Sequence, residues 1–372
     1  MKVIHLPLNI GGNPEGTSKS LRQLGMISQT WVISQNYLEY QADKIISAPT
    51  DNRFIAELKK FLALRYIFKF DVIIFNGGRS LYKPFNETKN FSLLKSENLL
   101  KALFHAFSWC MARVELGSLK LLKKTIFVVY QGSDARQNDF CNENFKIKIP
   151  YENYSKYGSL KFDKMKRKSI KFYSKYAKKI YALNPDLLHV LPNSSEFLPY
   201  CNVDINRWNT FYTQKSKRPL RIGHAPTNQG LKGTSLIKKA VKRLKDKGFE
   251  FEFVVVEGLS FKEAVEIYKT LDILVDQLFA GWYGGLAVEL MALGKPVVTY
   301  IREGDLKFIP QEMKQELPFF KAEPETIEKV LEQILNLSRT QIFESAIASR
   351  KFVEKWHDPI KIAKKIIVDI SS

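Results

Sequence analysis

The chain has 372 residues, 45% of them hydrophobic, which is enough for two domains with real cores and too apolar for a largely disordered protein. Its three cysteines, Cys110, Cys141 and Cys201, form no CxxC pair and no metal-ligand spacing, which argues against a disulfide framework or a zinc module and for a reducing compartment. The formal net charge of +20 leaves room for an anionic partner: nucleic acid, an anionic lipid surface or an anionic substrate.

The first apolar run, Lys2 to Leu6, is too short for a signal peptide and predicts a strand. No stretch approaches the length of a membrane span, so a cytoplasmic protein, soluble or at the membrane surface, is expected. After the first strand comes IGGNPEGTSKSLRQLG, where Gly11, Gly12 and Gly16 make a turn and Thr17 or Ser18 can cap a helix. This loop is neither a Walker loop nor a GxGxxG fingerprint. Strands are then predicted at Trp31–Ser34, Asp71–Phe75, Ile126–Tyr130 and Ile180–Leu183. Helical patterns separate them at Phe54–Phe68, Leu93–Leu116 and Lys161–Ala177. Strands alternating with helices imply βαβ units and a parallel sheet, whose ligands bind beyond the carboxyl ends of the strands. The residues there include Asp134 and Arg136, a carboxylate and a guanidinium that can orient an acceptor hydroxyl or pair with each other, and Asp186, whose cheapest role is a helix cap.

Composition shifts between Cys201 and Pro219, which reads as a linker. A second βαβ series follows: strand LRIG, the loop HAPTNQGLKGT, a basic helix from Leu236, strand Phe251–Val256, a further helix, and then Leu274 to Val298. That last stretch reads as a strand end, a turn built on Gly281, Gly284 and Gly285, a helix from Leu286 to Leu293, a stop at Gly294 and a new strand, Val297–Tyr300. The start of that helix is an anion site in prospect, with Glu289 one turn in. Between Lys146 and Lys179 twelve Lys or Arg face two acids, Glu152 and Asp163, with tyrosines and phenylalanines interleaved. Such a stretch is either a solvated face or a docking surface for an anionic membrane.

Five segments, IGGNPEGTSKSLRQLG, YQGSDARQ, ALNPDLLHVLP with FLPYCNVD, GHAPTNQGLKGT and YKTLDILVDQLFAGWYGGLAVELMALGKPVV, resemble in order and spacing those of glycosyltransferase family 4. The resemblance implies an α/β protein of the GT-B fold, two Rossmann-like domains facing each other across a cleft. It places an acceptor-side domain at 1–205, a linker at 206–219 and a nucleotide-sugar domain at 220–351, with a C-terminal helix at about 352–372 crossing back onto the first domain. It also implies a retaining, metal-independent transferase, needing no cofactor, that moves a sugar from a nucleotide-sugar donor to a lipid-linked or polysaccharide acceptor in lipopolysaccharide or capsule synthesis. The expected location is the cytoplasm, peripheral at the inner face of the membrane.

On this resemblance Lys232 matches the later of two phosphate-binding cations, with His224 or Gln229 near the earlier one. Gly12 and Asn13 match the loop near the diphosphate, and Asp134 faces the gap between sugar and acceptor. Glu289 matches the second of the family's paired glutamates, the one that holds the ribose. The first falls on Gly281, and Asp276, or on weaker grounds Glu303, can stand in for it. Gln131 occupies a place where His is frequent, and an amide cannot act as a general base. A GT-B epimerase or phosphorylase, and an inactive binder of nucleotide, glycan or anionic surface, are the alternatives. No nucleic-acid module is recognisable, so no nucleic acid is expected as partner.

Overall fold

Short runs of β-branched and aromatic residues form the strands of two parallel sheets, and the amphipathic segments between them form the crossovers. The computed structural model of this chain describes residues 1–35, 40–85, 96–151, 159–212 and 218–372, with side chains of the helix at 96–121 described from 102 onward. The predicted helix start at 93–95, residues 152–158 of the basic stretch and residues 213–217 of the linker lie outside the described residues. In chain order the elements are β1 (Lys2–Leu6), α1 (Asn13–Gln23), β2 (Ile27–Val32), β3 (Lys44–Ile45), α2 (Arg53–Ile67), β4 (Val72–Asn76), α3 (Ser96–Leu121), β5 (Thr125–Tyr130), α4 (Asn138–Asn144), α5 (Leu160–Tyr173), β6 (Lys179–Ala182) and β7 (Glu196–Phe197). They continue with β8 (Leu220–His224), α6 (Gln229–Lys232), α7 (Thr234–Asp246), β9 (Phe251–Val255), α8 (Phe261–Thr270), β10 (Ile273–Val275), α9 (Gly285–Ala292), β11 (Val297–Thr299), α10 (Gln311–Gln315), β12 (Phe320–Lys321), α11 (Ile327–Leu335), α12 (Arg339–Trp356) and α13 (Pro359–Ser371).

The chain divides into two units: Met1–Phe140, Ser159–Leu198 and Ile360–Ser372 form the first, and Cys141–Gly158 with Pro199–Pro359 form the second. The first unit holds a parallel sheet in the order β3-β2-β1-β4-β5-β6-β7. Its central strands read as unbroken apolar runs because both faces are covered: all five residues of β4 are buried. One core cluster runs from Ile4 through Phe75, Leu116 and Val128 to Leu187. The C-terminal helix α13 belongs to this unit, where Lys178 Nζ donates to the Ile370 carbonyl at 2.9 Å, Lys365 pairs with Glu196 at 2.7 Å, and Tyr181 donates to Asp369.

The second unit holds a parallel sheet in the order β12-β11-β10-β8-β9. Helix α7 buries Ile237, Ala240, Val241 and Leu244, one helical face, in a core shared with Ile273, Val275 and Leu331. Its lysines and arginines lie outward, where Arg243 and Lys247 pair with Glu328 of α11. A capping box between Ser260 and Glu263 starts α8. Directly after α8, the fully buried carboxylate of Asp272 accepts from the Arg221 backbone N–H (2.7 Å) and from Arg218 (2.7 Å), and it pairs with Arg339 (3.2 Å).

Three local expectations are corrected. Strand β2 starts at Ile27, four residues before the predicted Trp31, because Ser28, Gln29 and Thr30 pair in register with β1 although their polarity hides a strand. Helix α1 starts at Asn13, with Gly12 at its N-cap in the left-handed region (φ 71°), so Thr17 and Ser18 are inside the helix. The Thr17 hydroxyl bonds back to the Asn13 carbonyl and Ser18 bonds Ser28. Asp186 caps nothing: Asn184 precedes the 3₁₀ turn at Pro185–His189, and Asp186 takes a guanidinium instead.

Removing a carboxylate that neutralises two guanidinium groups leaves charge without a partner. Asp272→Ala is expected to destabilise the second unit by about 3 kcal/mol in urea unfolding followed by far-UV circular dichroism.

Candidate functional site

The second unit concentrates its polar groups at the carboxyl end of β10. Asp276, directly after that strand, is 2% exposed. Its Oδ1 lies 2.7 Å from Lys232 Nζ, and its Oδ2 accepts the Gly284 N–H at 2.8 Å. Lys232 ends α6, and Gly233 behind it turns with a φ of 82° where a side chain would press on Leu278 and Phe279. Gly284 is the N-cap of α9 and has no side chain to satisfy the first N–H groups of the helix. An ammonium and a helix N-terminus therefore converge on one carboxylate. Two positive features aimed at one place form an anion-binding geometry, occupied here by Asp276. Gly284, Gly285 and Leu286 are half-exposed, whereas the helix is buried from Ala287 onward, so the open part of α9 is its start.

The loop before α9 is held by packed rings. Trp282 and Tyr283 are fully buried, Tyr283 stacks on Phe319 at 4.6 Å, and its hydroxyl meets His357 Nε2 at 2.9 Å. Gly281 sits in the left-handed region at φ 79°, where a Cβ would stand 2.5 Å from Arg302 Nη1. The Arg302 guanidinium pairs with Asp305 (2.8 Å), donates to the Ile147 carbonyl (2.8 Å) and lies 3.7 Å from the Phe145 ring centroid. Arginine thus fills the space beside the position that lacks the expected glutamate. Nothing in the spacing of the sequence brings Arg302 to Gly281. The two meet because the Arg302 N–H bonds the Gly281 carbonyl at 2.9 Å, across the ends of neighbouring strands.

Glu289 is buried one turn into α9. Its Oε1 accepts from Asn202 Nδ2 at 3.1 Å, and the same amide reaches the Gly285 carbonyl at 3.1 Å. Burial pushes the Glu289 carboxyl up to about 8, with the Asn202 hydrogen bond opposing. At neutral pH the group is therefore a protonated acid. It can donate as well as accept, and a polar ligand that restores solvation would let it ionise. Asn202 Oδ1 is buried without a partner among the described residues. Asn202 is a second residue without a role in the sequence reading, since an asparagine in a loop carries no signal of its partner.

His224 differs from expectation. It is fully buried at the end of β8, with Nδ1 2.8 Å from the Val275 carbonyl and Nε2 2.8 Å from Thr234 Oγ1. Burial lowers its pKa to about 4, so it is a neutral imidazole that ties β8 to β10 and α7, and both its nitrogens are engaged. Gln229 donates to Glu257 at 2.9 Å and adds no cation beside Lys232. Glu303 pairs with Lys321 at 2.6 Å on an exposed turn.

In the first unit Gly12 and Asn13 form the turn into α1 beyond β1. Beyond β5, Asp134 and Arg136 do not pair with each other. Asp134 accepts the backbone N–H groups of Gln131 (2.9 Å) and Gly132 (2.6 Å), and burial raises its pKa. Arg136 forms a bidentate pair with Asp186 at 2.6 and 3.0 Å, and its carbonyl accepts from the buried Lys166 at 2.6 Å. These contacts make the loop rigid, with Asp134 bracing its own turn. Among the described residues no group of three His, Cys, Asp or Glu side chains is arranged to hold a metal ion.

Two outcomes follow from this geometry. A carboxyl whose pKa rises from 4.5 to about 8 on folding stabilises the native state below about 4.5, and this contribution is lost as pH climbs to about 8. Glu289→Gln, always neutral, should therefore gain melting temperature relative to the unsubstituted protein as pH rises through that window. Gly281→Ala, strained at its positive φ and crowded by Arg302, should lose about 1–2 kcal/mol in denaturant unfolding.

No protein-family model matches the chain, and no curated protein matches it in sequence. Solved structures match it across its whole length. Sucrose-phosphate synthase from Thermosynechococcus elongatus is 13% identical, covering 99% of this chain and 97% of that one, with a TM-score of 0.59. The catalytic domain of starch synthase IV from Arabidopsis thaliana, bound to ADP and acarbose, is 10% identical, covering 100% and 99%, with a TM-score of 0.60. UDP-GlcNAc 2-epimerase from Neisseria meningitidis, bound to UDP-GlcNAc, is 12% identical, covering 100% and 99%, with a TM-score of 0.50. At such identities the likeness carries the fold alone: this is an α/β chain of two parallel-sheet units with the GT-B fold.

Proposed function

We propose that this chain is a glycosyltransferase that takes a sugar from a nucleotide-sugar donor, retains its anomeric configuration, needs no metal, and passes the sugar to a lipid-linked or polysaccharide acceptor. The observation that carries the reading is the convergence of Lys232 and the α9 N-terminus on one anion position, with the buried carboxyl of Glu289 one turn along. Two solved structures with the same fold hold ADP and UDP-GlcNAc, which supports a nucleotide-sugar as ligand.

In this reading the diphosphate takes the place of the Asp276 carboxylate against Lys232 Nζ and the free N–H groups at Gly284–Leu286. Those donors stabilise the charge that grows on the leaving oxygen. Glu289 holds the ribose hydroxyls, and Asp276, released from Lys232, is next to the donor sugar in place of the glutamate that Gly281 lacks. The acceptor hydroxyl attacks the anomeric carbon on the face that the diphosphate leaves. The bond from that carbon to the phosphate oxygen breaks, the bond to the acceptor oxygen forms, and the departing phosphate takes the acceptor proton. On the family resemblance, Gly12 and Asn13 are assigned to the diphosphate loop, and Asp134 and Arg136 to the acceptor. Synthesis of a cell-surface glycan at the inner face of the membrane is the setting that fits such an acceptor.

The GT-B epimerase in the comparison supports a second reading, in which the same donor site turns over without an acceptor. Product analysis with and without acceptor glycans separates the two.

Calorimetric titration with UDP-, GDP-, ADP- and dTDP-sugars should give saturable binding to one of them. Lys232→Met and Glu289→Ala should each weaken it about 10- to 100-fold, the loss of a hydrogen bond to a charged group. Binding of none of these nucleotides would overturn the donor site.

A further inference from the structure

Helices α2 and α3 of the first unit carry their apolar residues on the wrong side for a water-soluble surface. Helix α2 buries Ala63, Leu64, Ile67 and even Lys60, while Phe54 (65% exposed), Leu58 (57%) and Phe61 (54%) face outward with Ile55, Leu62 and Tyr66. Helix α3 buries Ala112, Leu116 and Leu119 and exposes Leu103, Phe107, Cys110, Val114 and Leu121, a stripe at helical spacing. The two helices share one core cluster beneath and touch at Phe54 and Phe104, whose ring centroids are 5.0 Å apart, so their outer faces adjoin. Scattered exposed apolar residues need no explanation, but a contiguous patch of this size marks a binding surface.

Among the described residues the charge around the patch has one sign. Residues 53–69 and 102–124 hold nine Lys or Arg and two acids, Glu57 and Glu115. Glu57 is paired with Lys60 at 2.6 Å and Glu115 is fully buried, so among the described residues the face presents cations only. Where the α3 stripe ends, Gly117, Lys120, Leu121, Lys123, Lys175 and Tyr176 line a groove of about 630 Å³. None of these three lysines forms an ion pair among the described residues. The stretch at 146–179 supplies Lys175 to this groove, while others of its cations are paired: Lys166 with Asp163, Arg167 with Asp139 and Lys179 with Glu196.

We infer that the outer face of α2 and α3 docks onto an anionic lipid bilayer, with the apolar stripes entering the interface and lipid phosphates seated in the Lys120–Lys123–Lys175 groove. No helix among the described residues is long and apolar enough to cross a membrane, and the proposed docking uses this face alone. Apolar side chains ringed by cations suit this partner, because interfacial burial and attraction to anionic headgroups act together. A protein partner of that apolar character would not require the unpaired lysine groove at its edge.

The test is co-sedimentation of the full chain with vesicles, which reads docking independently of nucleotide binding. Partitioning onto phosphatidylcholine vesicles containing about 30 mol % phosphatidylglycerol should exceed that onto pure phosphatidylcholine at least tenfold at low salt, and fall as salt rises. The double substitution Leu58→Gln with Phe107→Gln, and separately Lys120→Gln with Lys123→Gln and Lys175→Gln, should each cut partitioning about tenfold. The melting temperatures of Leu58→Gln alone, which should also weaken partitioning, and of the lysine variant should stay at the unsubstituted value, since these side chains lie outside the core, whereas Phe107 meets the buried Tyr82 ring edge-on at 6.1 Å. Equal partitioning onto neutral and anionic vesicles, or variants that bind as the parent does, would overturn the proposal. So would a dimer in solution that Leu58→Gln with Phe107→Gln converts to monomer, since the face would then join two copies of this chain.

Discussion

The Asp276 carboxylate is the constraint on which the second unit's site depends. It holds an ammonium on one oxygen and a helix N-terminus on the other. Without an anion there, Lys232 and the α9 N–H groups would repel one another and the Gly284 backbone would lose its acceptor. The protein therefore carries its own counter-anion at the end of β10. A phosphate that enters the site must compete with that carboxylate, and it wins only through a larger charge and more acceptor oxygens. On the proposed reading, a diphosphate that displaces this carboxylate binds less tightly than an open cradle would hold it, and is favoured over a singly charged anion by its larger charge.

Around this pair the unit puts unusual demands on buried polar groups. Glu289 is held in its acid form by burial, against a single amide. Arg302 is held against Gly281 by Asp305, a carbonyl and an aromatic face, and no side chain other than hydrogen fits opposite it. The arginine and the glycine are one feature. The backbone turns with positive φ at Gly281, which removes the side chain, and the guanidinium takes the volume. A glutamate could return to this position only with a second change at Arg302.

Much of the fold is legible in the residues. Runs such as VIIFN and TIFVVY state a parallel strand covered on both faces, and the Gly284–Gly285 turn followed by LAVELMA states a helix start left bare. Polar strands are illegible for the same reason: Ser28 and Thr30 are buried through bonds to Ser18 and the Pro14 carbonyl that no local pattern reveals. Partners distant in sequence are equally hidden. Arg136 and Asp134 sit two residues apart and invite pairing, yet the guanidinium finds Asp186, 50 residues on. His224 has the chemistry of a catalytic group, and no local pattern reveals that both its nitrogens are engaged by the Val275 carbonyl and Thr234 Oγ1. Lys232 and Glu289 sit on a turn and a helix that the residues around them predict, but the partners that position them, Asp276 and Asn202, lie 44 and 87 residues away.

The return of α13 to the first unit bears on how the protein is made. Residues up to Leu198 contain every strand of the first sheet described here, but the acceptor for Lys178, a second cation beside Glu196 and the carboxylate that takes the Tyr181 hydroxyl are supplied by Ile370, Lys365 and Asp369. The second unit, ending at Pro359, is available in full before any of these leave the ribosome. The half that is translated first is therefore the half that is completed last, and until then the end of its sheet lacks its final covering helix.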